Sequence, residues 1–248
     1  MSNWRVWALQ AGRSEMDRSV ATYLQGMGQS LVIPHTMFLL RGPSVVVVDT
    51  SFESVEAVKR AYPQEIWREP DEEPVSLLAD LGVAPSDVAT IVCTHLHYDH
   101  CGGNGLFPSA RVLIQKAEVE YAQHPASPMM EREFFAASGG FTPPYSLEQM
   151  DLVDGDVDLG RGLRLLRLPG HTPGLQGLLV ETSEGRLCLA GDQVMLSENF
   201  EANIPVGLHT DVDDWYRSNA RLRTFTDWVV PSHDLRLFAS GELIREVA

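Results

Sequence analysis

The chain has little of what several protein classes need. Its three cysteines, Cys93, Cys101 and Cys188, are too few and too scattered for a disulfide framework. They fit a reducing compartment. Basic residues are scarce: 19 Lys and Arg stand against 34 Asp and Glu, a net charge of −15. Nucleic-acid binding needs a basic footprint, and none is visible, since Arg217, Arg221 and Arg223 sit among Asp211, Asp213, Asp214 and Asp227. An acidic surface gives anionic membranes no hold either. No apolar run approaches the roughly 20 residues that span a bilayer; that at 31–40 is broken by Pro34 and His35. The N-terminus lacks the basic flank and apolar stretch of a signal peptide, so the cytoplasm is the expected location. No repeat or Gly/Ser linker divides the 248 residues, and one domain over 1–248 is expected.

What is present is 44% hydrophobic residues, ordinary for a folded globular chain. Short β-branched runs predict strands at 31–40, 45–49, 88–94, 111–115, 163–168, 175–182, 187–190 and 228–230, each closed by a turn signal. Helical patterns fall at 54–61, 76–81, 116–123 and 213–224. Strands in two blocks, each mixed with helices, point to two sheets packed face to face with helices outside. Residues 125–146 carry four prolines, Gly139-Gly140 and interleaved aromatics. That stretch reads as a lid or binding excursion, or as a surface loop over a short helix at 130–138.

The strongest signal is Thr94-His95-Leu96-His97-Tyr98-Asp99-His100-Cys101-Gly102-Gly103. In extended chain, residues i and i+2 share a face, so His95 and His97 can offer two imidazoles to one ion. A turn then brings Asp99 and His100 to a second position nearby. Three further turns end predicted strands with a ligand type: Gly170-His171-Thr172-Pro173-Gly174, Gly191-Asp192 and Ser232-His233. Ligands on loops at strand ends converge because the sheet holds them.

These motifs together resemble the metallo-β-lactamase superfamily, over about 45–234. The resemblance implies an αββα sandwich with a two-metal cleft at the sheet edge. It implies that His95, His97 and His171 bind one metal, that Asp99, His100 and His233 bind another, and that Asp192 bridges them. Zinc suits such nitrogen and oxygen donors, and manganese, iron or cobalt would also fit. Ala11-Gly12-Arg13 and the Glu198-Asn199-Phe200 to Gly207 stretch are similar to the N-acyl-homoserine lactonase branch. That implies a lactone ring opened by a metal-bridging hydroxide, with Asp99 handing a proton to the leaving oxygen. Monomers and homodimers both occur in such a family.

Two positions depart from the branch. Met195 stands where its members have a tyrosine facing the substrate carbonyl, and Leu175 replaces the histidine of His-Thr-Pro-Gly-His. Losing one oxyanion donor can cost about 3 kcal/mol. Tyr98 and His209 are candidates to substitute, and a packed tyrosine and a solvated loop histidine are the plain alternatives. Cys101 is either a thiolate ligand or a small buried residue. Met16, Tyr23, Met27, Phe134, Phe135, Phe141 and Tyr145 either line a substrate mouth or pack locally. His35 and His124 have no ligand context in the local spacing. The substrate stays open. The same ligands would serve a catabolic lactonase for an aromatic or heteroaromatic lactone, of the pyridoxolactonase kind. They would also serve a thioesterase of the glyoxalase II kind, or a noncatalytic metal-binding protein.

Overall fold

The computed structural model describes residues 4–62 and 64–248. The first sheet contains β1 (Arg5–Asp17), β2 (Ser30–Arg41), β3 (Val45–Val48), β4 (Ile66–Trp67), β5 (Thr90–Val92), β6 (Arg111–Gln115) and β7 (Met150–Val153). The second contains β8 (Val157–Gly160), β9 (Leu163–Arg167), β10 (Gln176–Glu181), β11 (Arg186–Leu189) and β12 (Trp228–Val230). The last strand, β13 (Ile244–Glu246), returns to pair antiparallel with β1. The first sheet runs β13-β1-β2-β3-β5-β6-β7, with β4 beside β1, and the second β12-β11-β10-β9-β8.

Alternation along each strand builds the layers. Val6 and Ala8 of β1, Phe38 and Leu40 of β2, and Val46 and Val48 of β3 face Leu165, Leu178, Leu187 and Leu189 of the other sheet. Their sequence neighbours Trp7, Leu9, Met37, Leu39 and Val47 face the other way, onto Leu77 and Leu78 of helix Pro74–Asp80 and Val119 of helix Lys116–Gln123. Leu166, Leu179 and Cys188 do the same on the second sheet, against Leu222 of helix Val212–Phe225. Both sheets are therefore apolar on two faces, and the result is the expected helix–sheet–sheet–helix sandwich. Each aliphatic side chain so enclosed contributes about 1.5–3 kcal/mol relative to exposure.

Most predicted strands are present within a residue or two, as are the helices at Val55–Ala61, Lys116–Gln123 and Val212–Phe225. Ser54 caps the first of these, its side chain accepting from the Ala57 N–H. The sequence pattern misses β1. Its core-facing run is interrupted by Gln10 and Arg13, whose polarity is absorbed by buried Glu72. Gln10 donates to Glu72 Oε1 at 2.7 Å, and Arg13 Nε lies 2.9 Å from the same atom. No helix among the described residues is long and apolar enough to cross a membrane.

Candidate metal centre

The histidine motif leaves β5 and enters a single helical turn, Tyr98–Cys101. This turn sits tightly on the loop after β3. A Cβ on Gly102 would come within 2.4 Å of the Glu53 nitrogen and 2.6 Å of Phe52 Cα, so only glycine fits. Gly170 plays the same part for the His171 loop: its φ is +144°, and a Cβ there would lie 2.5 Å from Trp215 Cα. Buried Glu118 ties the two loops together. Its carboxyl accepts from the Leu96 N–H, the Thr172 hydroxyl and the Gly174 N–H. Burial pushes Glu118 up to about 7 against these three donors, which favour the ionised form.

The outcome is one buried cluster at the ends of both sheets. His171 Nε2 lies 3.2 Å from His95 Nε2 and 3.0 Å from His97 Nδ1. His100 Nε2 lies 3.2 Å from His233 Nε2. Asp192 stands between the two groups. Its Oδ1 is 3.2 Å from His100 Nε2 and 3.1 Å from His233 Nε2, while Oδ2 is 3.5 Å from His171 Nε2. Asp99 completes the second group, with Oδ2 3.7 Å from His233 Nε2 and Oδ1 3.8 Å from His100 Nε2. All seven residues singled out by the motifs are brought together.

The outer ring nitrogens show what the inner ones are for. His171 Nδ1 donates to the Leu208 carbonyl at 2.6 Å and His233 Nδ1 to the Pro34 carbonyl at 2.8 Å. His100 Nδ1 donates to Asp49 Oδ2 at 2.8 Å. His95 Nδ1 lies 3.1 Å from the Thr94 hydroxyl, which itself donates to Asp49 Oδ2. A neutral imidazole carries one proton, and these contacts hold it outward. His95 Nε2 and His171 Nε2 then present lone pairs to each other at 3.2 Å, which is repulsive unless a cation sits beside them. His97 differs from the others: its cluster-facing nitrogen is Nδ1, and its Nε2 is buried without a partner. Burial, with the neighbouring imidazoles, drives His95 and His97 well below the ordinary histidine range, keeping them neutral. Burial would lower His100 and His233 too, but the Asp192 carboxylate outweighs it and raises both. Burial would likewise raise Asp192; His233 and His100 outweigh it and hold the carboxylate well below its usual value. The donor set fits cations, in groups of His95, His97 and His171, of His95, His100 and Asp192, and of His35, Asp99 and His233.

The family model described as the metallo-beta-lactamase superfamily matches residues 31–233. The chain belongs to that superfamily. It is 32% identical over 216 residues to an N-acyl homoserine lactonase of Bacillus cereus, covering 81% of this chain and 80% of the relative. It is 30% identical to the N-acyl homoserine lactonase AttM of Azorhizobium caulinodans, covering 94% of each. Among solved structures it is similar to an N-acyl homoserine lactone hydrolase holding the product N-hexanoyl-L-homoserine at its catalytic metal center. That likeness has a TM-score of 0.80 at 27% identity and covers 97% of both chains. This kinship makes the chain an enzyme, a metal-dependent hydrolase.

Met195 is buried in an apolar cluster with Ala21, Leu196, Val206 and Trp215. His209 is half-buried, donates from Nδ1 to the Val206 carbonyl at 2.8 Å, and meets the Tyr23 ring edge-on. Tyr98 is buried, stacked on Phe135 at 5.1 Å, and its hydroxyl accepts from Gln64 Nε2 at 2.6 Å. With its ring packed among Phe52, Val58, Ile66 and Phe135 and its hydroxyl held by Gln64, Tyr98→Phe is expected to leave kcat within about threefold of the parent. Loss of a true oxyanion donor would cost about 10²-fold or more, so steady-state kinetics separate the two. Cys101 is a small buried residue whose thiol points at the His97 and Leu96 carbonyls, outside the ligand groups. Two residues not singled out from the sequence as ligands matter here. Asp49, at the end of β3, anchors Thr94 and His100. His35, which the spacing leaves without a role, lies against Asp99, Nδ1 to Oδ2 at 3.1 Å.

Proposed function

We propose that this enzyme is a dinuclear lactonase that opens N-acyl homoserine lactones. The observation that carries the reading is Asp192, one carboxylate reaching both imidazole groups through different oxygens. His95, His97 and His171 would hold one divalent cation and Asp99, His100 and His233 the other, with Asp192 shared. Two cations there, zinc by the chemistry of the donors, would supply Lewis acidity for the ester carbonyl and acidify a water toward neutral pH. Asp99 is the most exposed carboxylate of the set, with 13% of its side chain open against 6% for Asp192. In this reading Asp99 takes up a proton from the attacking water and delivers it to the ring oxygen as the ester bond breaks.

The same reading treats 1–248 as one hydrolase domain with 125–146 as its binding lip. Phe134 and Phe135 of that segment are buried against His97 and Tyr98. A cavity of about 650 Å³ borders Phe135, Phe141, Pro143 and Pro144. That volume suits a small ligand. Three buried free cysteines and a net charge of −15 support a cytoplasmic enzyme of small molecules, with no nucleic-acid or membrane partner.

The test is proton release, followed by pH-stat, from zinc- or manganese-loaded protein. The panel contains homoserine lactones of several acyl lengths, plain γ-lactones and aromatic-fused lactones, with His97→Ala as control. Turnover of the acyl-homoserine lactones that is lost in the control is the expected result. Turnover confined to plain γ-lactones or to aromatic lactones would overturn the substrate assignment.

A further inference from the structure

His35 lies in the middle of β2, where alternation would place an ordinary core residue. It is 1% exposed. Its ring meets Phe52 edge-on at 5.1 Å and His233 edge-on at 5.6 Å. Both of its nitrogens have partners within the chain: Nδ1 is 3.1 Å from Asp99 Oδ2, and Nε2 is 3.0 Å from the Ser14 hydroxyl. This differs from His95 and His171, whose inner nitrogens face each other without a donor–acceptor match, whereas the His35 contact with Asp99 is a donor meeting a carboxylate. Although His35 is close enough to Asp99 and His233 to form a ligand group with them, its hydrogen bonding is complete without an ion.

We propose that His35 is a positioning residue for Asp99: its Nδ1–H, with Nε2 accepting from Ser14, fixes one carboxylate oxygen and so the rotamer of the whole group. Asp99 stands on a single helical turn and is partly open to solvent. Apart from His35, its nearest charged or ionisable contacts are His100 and His233, at 3.7–3.8 Å. With Oδ2 held, the carboxylate keeps a constant orientation toward the second ligand group and toward the leaving oxygen. Without it, the side chain is free to rotate between the cluster and solvent. For activity this rests on the lactonase reading; the metal-centre arm of the test does not.

Two variants separate the hydrogen bond from packing. His35→Phe fills the ring's place beside Phe52 but has no donor. His35→Asn loses the ring but carries an amide N–H near the Nδ1 position. Metal content, the visible spectrum of the cobalt(II)-substituted protein, thermal midpoint, kcat and KM are measured for both. The expected result for His35→Phe is two metals per chain, an altered cobalt spectrum and kcat lower by about 10–100-fold, with KM within about threefold. His35→Asn is expected to regain at least about tenfold of that kcat and the parent spectrum, even if it melts lower. Parent-like kcat and spectrum in His35→Phe would overturn the proposal. So would equal impairment of both variants in step with their melting points, which would assign His35 to packing. So would a fall to one metal per chain in both, which would make it a ligand. If the parent opens no lactone, the lactonase reading fails, and the cobalt spectra still decide the role of His35.

Discussion

Asp192→Asn is expected to lower turnover by about 10²–10³-fold and to reduce metal content below two per chain. The substitution is nearly isosteric, so its effect is chemical. In the parent, Oδ1 accepts from the Ser232 hydroxyl at 2.7 Å and faces His100 and His233, while Oδ2 faces His171. An asparagine keeps a single oxygen. Whichever way its amide turns, an NH2 group then points either into one of the imidazole groups or at the Ser232 hydroxyl. A donor aimed at a cation site repels the cation, and the remaining oxygen cannot serve both sides. The expected loss is that of a preorganised electrostatic stabiliser. Elemental analysis beside kcat checks it, with circular dichroism to confirm the fold. Full activity with two metals bound would mean that Asp192 does not join the two groups.

The histidine loop was legible because its proposed ligands are local. His95 and His97 are two residues apart on extended chain, and Asp99 and His100 follow on one helical turn, so spacing alone sets their geometry. His171, Asp192 and His233 were legible one step less directly, each at the end of an apolar strand beside glycine, proline or serine. Asp49 carries the same signature as Asp192, a carboxylate ending the run Val45-Val46-Val47-Val48, and could have been found by it. His35 could not. It sits inside a strand among apolar neighbours, and Asp99 is 64 positions away; only the sheet and the turn after β5 bring them together. The fold shows the same division. A uniformly apolar strand such as β3 declares itself. β1 hides because Gln10 and Arg13 are polar residues turned onto a buried partner, Glu72, that sequence periodicity cannot see.

Asp49→Ala is expected to destabilise the metal-free protein by about 3–5 kcal/mol and to weaken metal binding by about 10–100-fold. The Asp49 side chain is 1% exposed and accepts three hydrogen bonds. Oδ1 takes the Thr94 N–H at 2.7 Å; Oδ2 takes the Thr94 hydroxyl at 2.8 Å and His100 Nδ1–H at 2.8 Å. Alanine leaves these donors buried and unmatched, each costing about 1–3 kcal/mol before relaxation. The backbone adds to the loss. Asp49 has a φ of +56°, a left-handed conformation that aspartate tolerates better than alanine does. The binding defect follows from the same contacts. Once the Thr94 hydroxyl loses its acceptor, it no longer has a fixed orientation toward His95 Nδ1, and His100 loses the acceptor that held its proton outward. One residue from each proposed ligand group is then free to change tautomer or turn. Asp49→Asn keeps the shape and one acceptor, so it should fall between the parent and alanine on both scales. Thermal melts of metal-free and metal-loaded protein, with chelator competition for affinity, separate the two effects. A normal affinity in a destabilised Asp49→Ala would confine Asp49 to folding and remove it from the support of the centre.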